Sequence, residues 1–192
     1  KKVPTFIEPS ISPISSSLCL NQHTIVAIGS STGGTEALKM ILEVLPANIP
    51  PILIVQHIPP VFSTAFSKRL NDICKFEVLE AKDGDEVKPG RVLIAPGGTQ
   101  MEIINSTNGY KVKVFDGQPV NRHKPSVDVL FNSVAKIVGR KSIGIILTGM
   151  GADGAKGLLE MQNKGSTTIA QNEQTCVVYG MPKAAVELGA AQ

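Results

Sequence analysis

The chain has 192 residues, of which 42% are hydrophobic, 18% are charged and 4% are aromatic, and its formal net charge at pH 7 is +3. The length suits one domain of about 150 residues with a short appendage, and the composition excludes an intrinsically disordered chain. The apolar runs are far shorter than the about 20 residues of a membrane span, and the small charge and scarce aromatic residues argue against a nucleic-acid-binding surface.

The cysteines indicate free thiols. Cys19, Cys74 and Cys176 lie far apart and form no C-x-x-C pair, so a structural zinc site is not expected. An odd number of cysteines favours a reducing compartment, and the sequence contains no basic-then-apolar signal peptide. The sequence also offers no ligand cluster for a metal ion, and we expect no cofactor.

Residues 1–22 are predicted to be a linker. Three prolines between residues 4 and 13 interrupt any helix, and the many serines offer little that could pack. The apolar residues Phe6, Ile7 and Ile11 leave two alternatives open, a disordered tail or partial docking on a neighbouring surface. Because the chain begins with Lys and not Met, we expect it to be a fragment or a processed product.

From residue 24 onward, apolar runs alternate with helical patterns. Short apolar runs predict strands, whereas apolar residues at spacings of three and four predict amphipathic helices. The predicted strands are 24–28, 52–55, 76–79, 91–95, 143–147 and 167–170, and two more, 101–105 and 110–115, form an antiparallel hairpin. Helices are predicted after the first two strands, at 126–138 and 153–164, and from Pro182, since proline suits the first turn of a helix.

This alternation predicts the fold class. Most of the strands lack the period-two pattern of a half-exposed sheet, which indicates that both faces of the sheet are covered. The sequence therefore predicts a doubly wound α/β domain. It would have a mostly parallel sheet with helices on both faces and one inserted antiparallel hairpin.

Polar side chains follow three of the predicted strands. Ser31, His57 and Asp153 each come shortly after a strand, and in open α/β sheets ligands bind outside the carboxyl ends of the strands. These are the three groups of a serine nucleophile system. Taken singly, each has an ordinary alternative, since Asp153 could cap the next helix and His57 could be a polar rim residue. His123, in a basic loop, is the only rival for the histidine.

The turn after the first strand fits the G-x-S-x-G pattern of a nucleophile elbow. Residues 29–34 read G-S-S-T-G-G, and the glycines leave a hydroxyl unshielded at the start of a helix. The alternative is a non-catalytic module that binds an anion or nucleotide with the loop from Gly29 to Gly34. The spacing differs from the dinucleotide and P-loop patterns. The chain order of Ser31, His57 and Asp153 also differs from the serine-aspartate-histidine order of α/β-hydrolases.

Five segments carry a family resemblance. The stretch I-G-S-S-T-G-G-T-E-A at 28–37 resembles the nucleophile turn of the bacterial chemotaxis protein-glutamate methylesterases, the CheB family. V-Q-H-I-P at 55–59 is similar to their histidine segment, and L-T-G-M-G-A-D-G-A at 147–155 is similar to their aspartate segment. Two more, 120–128 and 170–182, also resemble family stretches, so the resemblance runs from about residue 24 to 190.

The resemblance implies a cytoplasmic enzyme that hydrolyses γ-glutamyl methyl esters on chemoreceptors, and in some members deamidates receptor glutamines. It places Ser31 on the nucleophile, His57 on the base and Asp153 on its orienting partner. Ser30 stands where the family usually has a small residue such as Ala, so the motif register selects Ser31 over Ser30. Residues 23–192 would be the catalytic domain, and residues 1–22 the remnant of a linker from an N-terminal receiver domain.

Four further residues are candidates around the ester. The backbone amides at the start of the helix after Ser31, that of Thr32 among them, and the amide of Met150 between two glycines are candidate oxyanion donors. Arg122 and His123 are candidates for contact with acidic substrate helices, with a solvated basic loop as the alternative. The expected partners are methylated chemoreceptor helices and the receiver domain, without nucleic acid or membrane insertion.

Overall fold

The fold comprises nine strands and five α-helices in a computed structural model that describes residues 24–191. In chain order they are β1 (Ile25–Ser30), α1 (Gly34–Leu42), β2 (Ile52–Gln56), α2 (Pro60–Ile73), β3 (Glu77–Glu80), β4 (Glu86–Val87), β5 (Arg91–Ile94), β6 (Gln100–Ser106), β7 (Gly109–Phe115), α3 (Val127–Ile137), β8 (Ser142–Ile146), α4 (Ala155–Asn163), β9 (Thr167–Ala170) and α5 (Met181–Glu187). The predicted linker, residues 1–22, and Cys19 within it lie outside the described residues.

The central sheet is parallel throughout. Its strand order is β3-β5-β2-β1-β8-β9, and every neighbouring pair runs in the same direction. The two central strands β1 and β2 are buried along their whole length, which explains why their sequences show no alternation of apolar and polar residues.

Hydrophobic cores cover both faces of this sheet. Ala27 of β1 belongs to the core that contains Phe131 of α3 and Leu158 of α4. The next residue of the strand, Ile28, belongs to the other core, which contains Leu38 of α1. Alternate residues of one strand thus enter opposite cores, as in a sheet wound on both sides. The predicted doubly wound α/β fold is confirmed.

A smaller antiparallel sheet of order β4-β7-β6 packs beside α3. The predicted hairpin is β6 and β7, which pair in register from Gln100 and Phe115 to Ser106 and Gly109. The sequence analysis missed β4, whose two residues pair with Lys111 and Tyr110 of β7. Two residues carry no hydrophobic periodicity, so no pattern in the sequence marks this strand.

The sheet reverses its winding between β1 and β8. From β1 the chain proceeds through α1 to β2 on one side, whereas β8 lies on the other side of β1 and leads to β9. Such a switch point is where open α/β sheets bind their ligands. The loops after β1, β2 and β8, which carry Ser31, His57 and Asp153, all emerge at this edge. None of the helices within residues 24–191 has the length and hydropathy needed to cross a membrane.

Candidate active site

Two adjacent serines at the end of β1 have different surroundings. Ser30 is fully buried, and its hydroxyl donates to Gln56 Oε1 at 2.7 Å. The Gln56 amide, through Nε2, donates to the Ser31 carbonyl oxygen at 2.9 Å and so braces the turn. Ser31 is half-buried and lines a cleft at this edge of the sheet. Of the two neighbouring hydroxyls, only that of Ser31 faces the cleft.

His57 follows β2 and leaves the sheet beside Ser31. Ser30 pairs with Gln56 across the two parallel strands, and the His57 amide donates to the Ser30 carbonyl oxygen at 3.0 Å. His57 thus leaves the sheet next to the turn that carries Ser31. Within residues 24–191, the Ser31 hydroxyl itself makes no hydrogen bond.

The imidazole of His57 is held by Asp153. His57 Nε2 lies 2.8 Å from Asp153 Oδ2, and the two side chains are 8% and 1% exposed, so water is excluded from the contact. The other ring nitrogen, Nδ1, is buried and has no hydrogen-bond partner in the described part of the chain. An imidazole that donates from Nε2 keeps Nδ1 as an acceptor.

The Asp153 carboxylate accepts hydrogen bonds on both oxygens. The Val127 amide donates to Oδ2 at 2.7 Å, and the Ser126 hydroxyl and Asn121 Nδ2 each donate to Oδ1 at 2.7 Å. Burial raises the pKa of Asp153, but these bonds and the one from His57 outweigh burial and lower the pKa to about 2. Asp153 is therefore ionised at neutral pH.

A second buried carboxylate, Asp128, lies beside the first. The Gly157 amide donates to its Oδ1 at 2.6 Å, and Asn121 Nδ2 lies 2.6 Å from its Oδ2, so one amide group bridges Asp128 and Asp153. Burial raises the pKa of Asp128, and the negative charge of Asp153 adds to the increase. The sequence analysis missed Asn121, Ser126 and Asp128, because polar residues before a helix equally indicate ordinary capping.

The loop before α3 brings a second histidine onto the first. Asn121 and Arg122 adopt left-handed backbone conformations, with φ of 51° and 69°, and turn the chain sharply. The His123 ring then stacks on the His57 ring, with centroids 3.7 Å apart and planes 8° from parallel. Burial lowers the pKa of His123, and the positive charge of protonated His57 lowers it further.

The cleft has a volume of about 600 Å³. Six of the residues predicted from the sequence line it, namely Ser31, Thr32, Arg122, His123, Met150 and Asp153. The seventh, His57, lies under His123. The structure adds the exposed cation Lys156, which lines the same cleft from the first turn of α4. No sequence pattern distinguishes this lysine from the other charged residues on helix surfaces.

The backbone amides around Ser31 differ in what they bind. The Ser31 amide donates to the Thr148 carbonyl oxygen at 3.0 Å and is thus already occupied. The amides of Thr32 and Met150 donate to no acceptor within residues 24–191. These two are the amides that the sequence analysis named as oxyanion candidates, and both residues line the cleft.

Packing accounts for the glycines of the loop after β1. A Cβ atom at Gly29 would overlap the Val127 side chain, and one at Gly34 would overlap the side chains of Gln56 and Ser30. The Gly34 amide is also occupied, because it donates to the Ser31 carbonyl oxygen at 2.8 Å. Packing and this hydrogen bond explain Gly29 and Gly34 without a bound anion, so neither glycine supports the alternative of an anion- or nucleotide-binding loop. No group of three or more His, Cys, Asp and Glu side chains within residues 24–191 is placed to hold a metal ion.

The fold and the cleft define a doubly wound α/β domain with a polar site at the switch point of its parallel sheet. The chain belongs to the CheB methylesterase family, whose sequence model matches residues 26–192. This confirms the resemblance stated from the five segments.

Named relatives and a solved structure agree with this family. The chain is 58% identical over 168 residues to a protein-glutamate methylesterase/protein-glutamine glutaminase 2 of Hahella chejuensis, covering 88% of the chain and 46% of that protein. It is 54% identical over 170 residues to a protein-glutamate methylesterase/protein-glutamine glutaminase of Salmonella typhimurium, covering 88% and 49%. The crystal structure of the Thermotoga maritima CheB methylesterase catalytic domain superposes with a TM-score of 0.85 at 43% identity, covering 88% of this chain and 90% of that one. The chain thus spans about half the length of the curated relatives it matches.

Proposed function

We propose that this chain hydrolyses γ-glutamyl methyl esters on proteins by acyl transfer through Ser31. The observation that carries the proposal is the state of His57, whose ring is fixed at Nε2 by Asp153 while Nδ1 stays buried and unpaired in the described part of the chain. A base in that state, beside a serine in an open cleft, is what nucleophile activation requires.

The two ring nitrogens have different tasks in the proposed reaction. Nδ1 of His57 takes the proton of Ser31 Oγ as that oxygen attacks the ester carbonyl carbon, and the imidazolium is stabilised by Asp153 at Nε2. This order is the reverse of the familiar triad, in which Nδ1 faces the aspartate and Nε2 faces the serine. The contact between Ser31 Oγ and Nδ1 would be completed when substrate binds, since catalytic hydrogen bonds are often long in unliganded enzymes.

The remaining steps follow from the same groups. The oxyanion of the tetrahedral intermediate accepts hydrogen bonds from the Thr32 and Met150 amides, which have no competing acceptor within residues 24–191. The proton on Nδ1 passes to the methoxy oxygen, and methanol leaves. Water then attacks the carbonyl carbon of the glutamyl ester of Ser31 and gives one proton to Nδ1. That proton passes to Ser31 Oγ as the bond between Oγ and the carbonyl carbon breaks, and the released glutamic acid side chain loses its remaining proton to solvent.

The same site could act on a glutamine side chain, with ammonia as the leaving group. The names of the relatives include both activities, protein-glutamate methylesterase and protein-glutamine glutaminase. We propose the methyl ester as the main substrate, since methanol needs less assistance than ammonia to leave a tetrahedral intermediate.

The proposed partners follow from the family and from the charges at the cleft. Methylated helices of chemoreceptors would present the ester. Arg122 and Lys156, both exposed at the cleft, would face acidic residues around it. We further propose that residues 23–192 are the catalytic domain of a cytoplasmic protein, with residues 1–22 as the linker from a receiver domain.

The proposal is tested by comparing two adjacent serine variants. Ser31→Ala should abolish methanol release from methylated receptor, because it removes the nucleophile. Ser30→Ala should keep most of the activity, because the Ser30 hydroxyl faces away from the cleft and only braces Gln56. Full activity of Ser31→Ala would refute the proposal.

A further inference from the structure

The loop that precedes α3 holds His123 firmly. Its amide donates to the Val120 carbonyl oxygen at 2.8 Å, and the Val120 amide donates back to the His123 carbonyl oxygen at 3.0 Å. Gln100 Nε2 adds a hydrogen bond to the His123 carbonyl oxygen at 3.2 Å. The His123 ring is thus carried by a tight, closed turn, and its place over His57 is fixed by the backbone.

The His57 ring needs a packing contact that fixes its orientation. One hydrogen bond, at Nε2, fixes one point of the ring and leaves the ring free to tilt about that point. The proposed reaction requires Nδ1 to stay unpaired until it meets the serine proton, so no second hydrogen bond can hold the ring. Orientation must therefore come from packing, and the stacked His123 ring, 3.7 Å away and within 8° of parallel, supplies a flat surface that opposes tilting.

We propose that His123 is a positioning residue that acts through its ring face, holding the His57 imidazole in the plane from which Nδ1 reaches Ser31. This inference rests on the proposed function. Burial lowers the pKa of His123 and a positive charge on His57 lowers it further, while the charge of Asp153 opposes both, so the surroundings on balance disfavour a second positive charge in the stack.

From the sequence, His123 was a rival of His57 for the role of the catalytic base. A positioning residue differs from a base because it transfers no proton. Within residues 24–191 the His123 ring makes no hydrogen bond to a carboxylate, whereas Asp153 binds His57 at 2.8 Å. A stacked ring that transfers no proton can be replaced by a hydrocarbon ring of similar width. A base cannot be replaced in this way.

Two variants separate these roles. His123→Phe keeps a flat ring over His57 and removes both nitrogens, whereas His123→Ala removes the ring. We expect His123→Phe to keep kcat within about threefold of the wild type. We expect His123→Ala to lower kcat by about 10²-fold with a KM within about threefold, since a misplaced catalytic group costs about that much. Methanol release from methylated receptor gives both constants, and titration of reactive serine with a phosphonate corrects for the folded fraction.

A spectroscopic measurement tests the positioning apart from activity. The ring-current shifts of the His57 carbon-bound protons should be present in the wild type and in His123→Phe, and should be lost in His123→Ala. The proposal is overturned if His123→Ala keeps its kcat or if those shifts do not change. It is also overturned if His123→Phe is as inactive as His57→Ala, which would make His123 a proton-transfer group. A wild type that releases no methanol would refute the proposed function, and the proton shifts would still decide whether His123 holds the ring.

Discussion

Replacing Asp153 with Asn tests the electrostatics of the site. Both oxygens of Asp153 accept hydrogen bonds, Oδ2 from the Val127 backbone amide and Oδ1 from Asn121 Nδ2, which also donates to Asp128. An asparagine must turn its NH₂ group toward one of these donors, and a buried donor left without an acceptor costs about 1–3 kcal/mol. We therefore expect Asp153→Asn to be less stable than the wild type at pH 7.

The size of the pH effect follows from the pKa of Asp153, which folding lowers from 3.8 to about 2. That difference corresponds to about 2 kcal/mol of stability. Because the folded-state pKa lies below the unfolded value, this contribution is present above pH 4, approximately, and is lost as the pH falls toward about 2. The charge of Asp153 also raises the pKa of Asp128, and a raised carboxyl pKa lowers the stability of the folded protein at neutral pH. The net stabilisation by the Asp153 charge is therefore at most about 2 kcal/mol.

Urea unfolding of the wild type and of Asp153→Asn, at pH 5 and at pH 2, measures this contribution. The difference in unfolding free energy between the two proteins should shrink by up to about 2 kcal/mol from pH 5 to pH 2. Asp72→Asn, at an exposed carboxylate of α2, is the control and should follow the wild type at both pH values. A difference that stays constant to within about 0.5 kcal/mol, or grows, would refute the electrostatic reasoning.

Three further results are expected. Asn121→Ala should lower kcat about tenfold, because it removes a hydrogen bond to Asp153 and leaves Asp128 facing it; unchanged kinetics would contradict this. Lys156→Glu should raise KM for methylated receptor with little change in kcat, whereas Lys136→Glu, an equal charge change at the far end of α3, should not. If the proposed receiver domain covers the cleft until it is phosphorylated, a longer protein that carries this domain should release methanol more slowly than the isolated 192-residue chain, and equal rates would refute such inhibition.

Much of the fold could be predicted because its strands are buried on both faces. β2 has five buried residues in a row, and a short apolar run between turn residues favours a strand of a parallel sheet that is covered on both faces. The hairpin of β6 and β7 was also visible, since turn residues separate its two strands. By contrast, β4 depends on its pairing with β7, and that tertiary contact leaves no periodic pattern in two residues.

The candidate site could be predicted only at the strand ends. Ser31, His57 and Asp153 each follow a strand, and the carboxyl ends of parallel strands lie at one edge of the sheet, so these residues are expected at the same edge. The motif register selects Ser31 over Ser30, but the sequence could not give the direction in which each side chain points, so the different surroundings of the two hydroxyls required the structure. The stack of His123 on His57 was equally hidden, because it depends on two left-handed residues in a loop without periodicity.

Every step of the proposed reaction depends on Ser31 as the nucleophile and on Nδ1 of His57 as the base that activates it. Both roles can be tested by treating the chain with a serine-reactive phosphonate and mapping the adduct by mass spectrometry, in the wild type and in His57→Ala. We expect one adduct, on Ser31, that forms rapidly in the wild type and is nearly absent in His57→Ala. An adduct on Ser30, or equal labelling of Ser31 in the two proteins, would contradict this expectation.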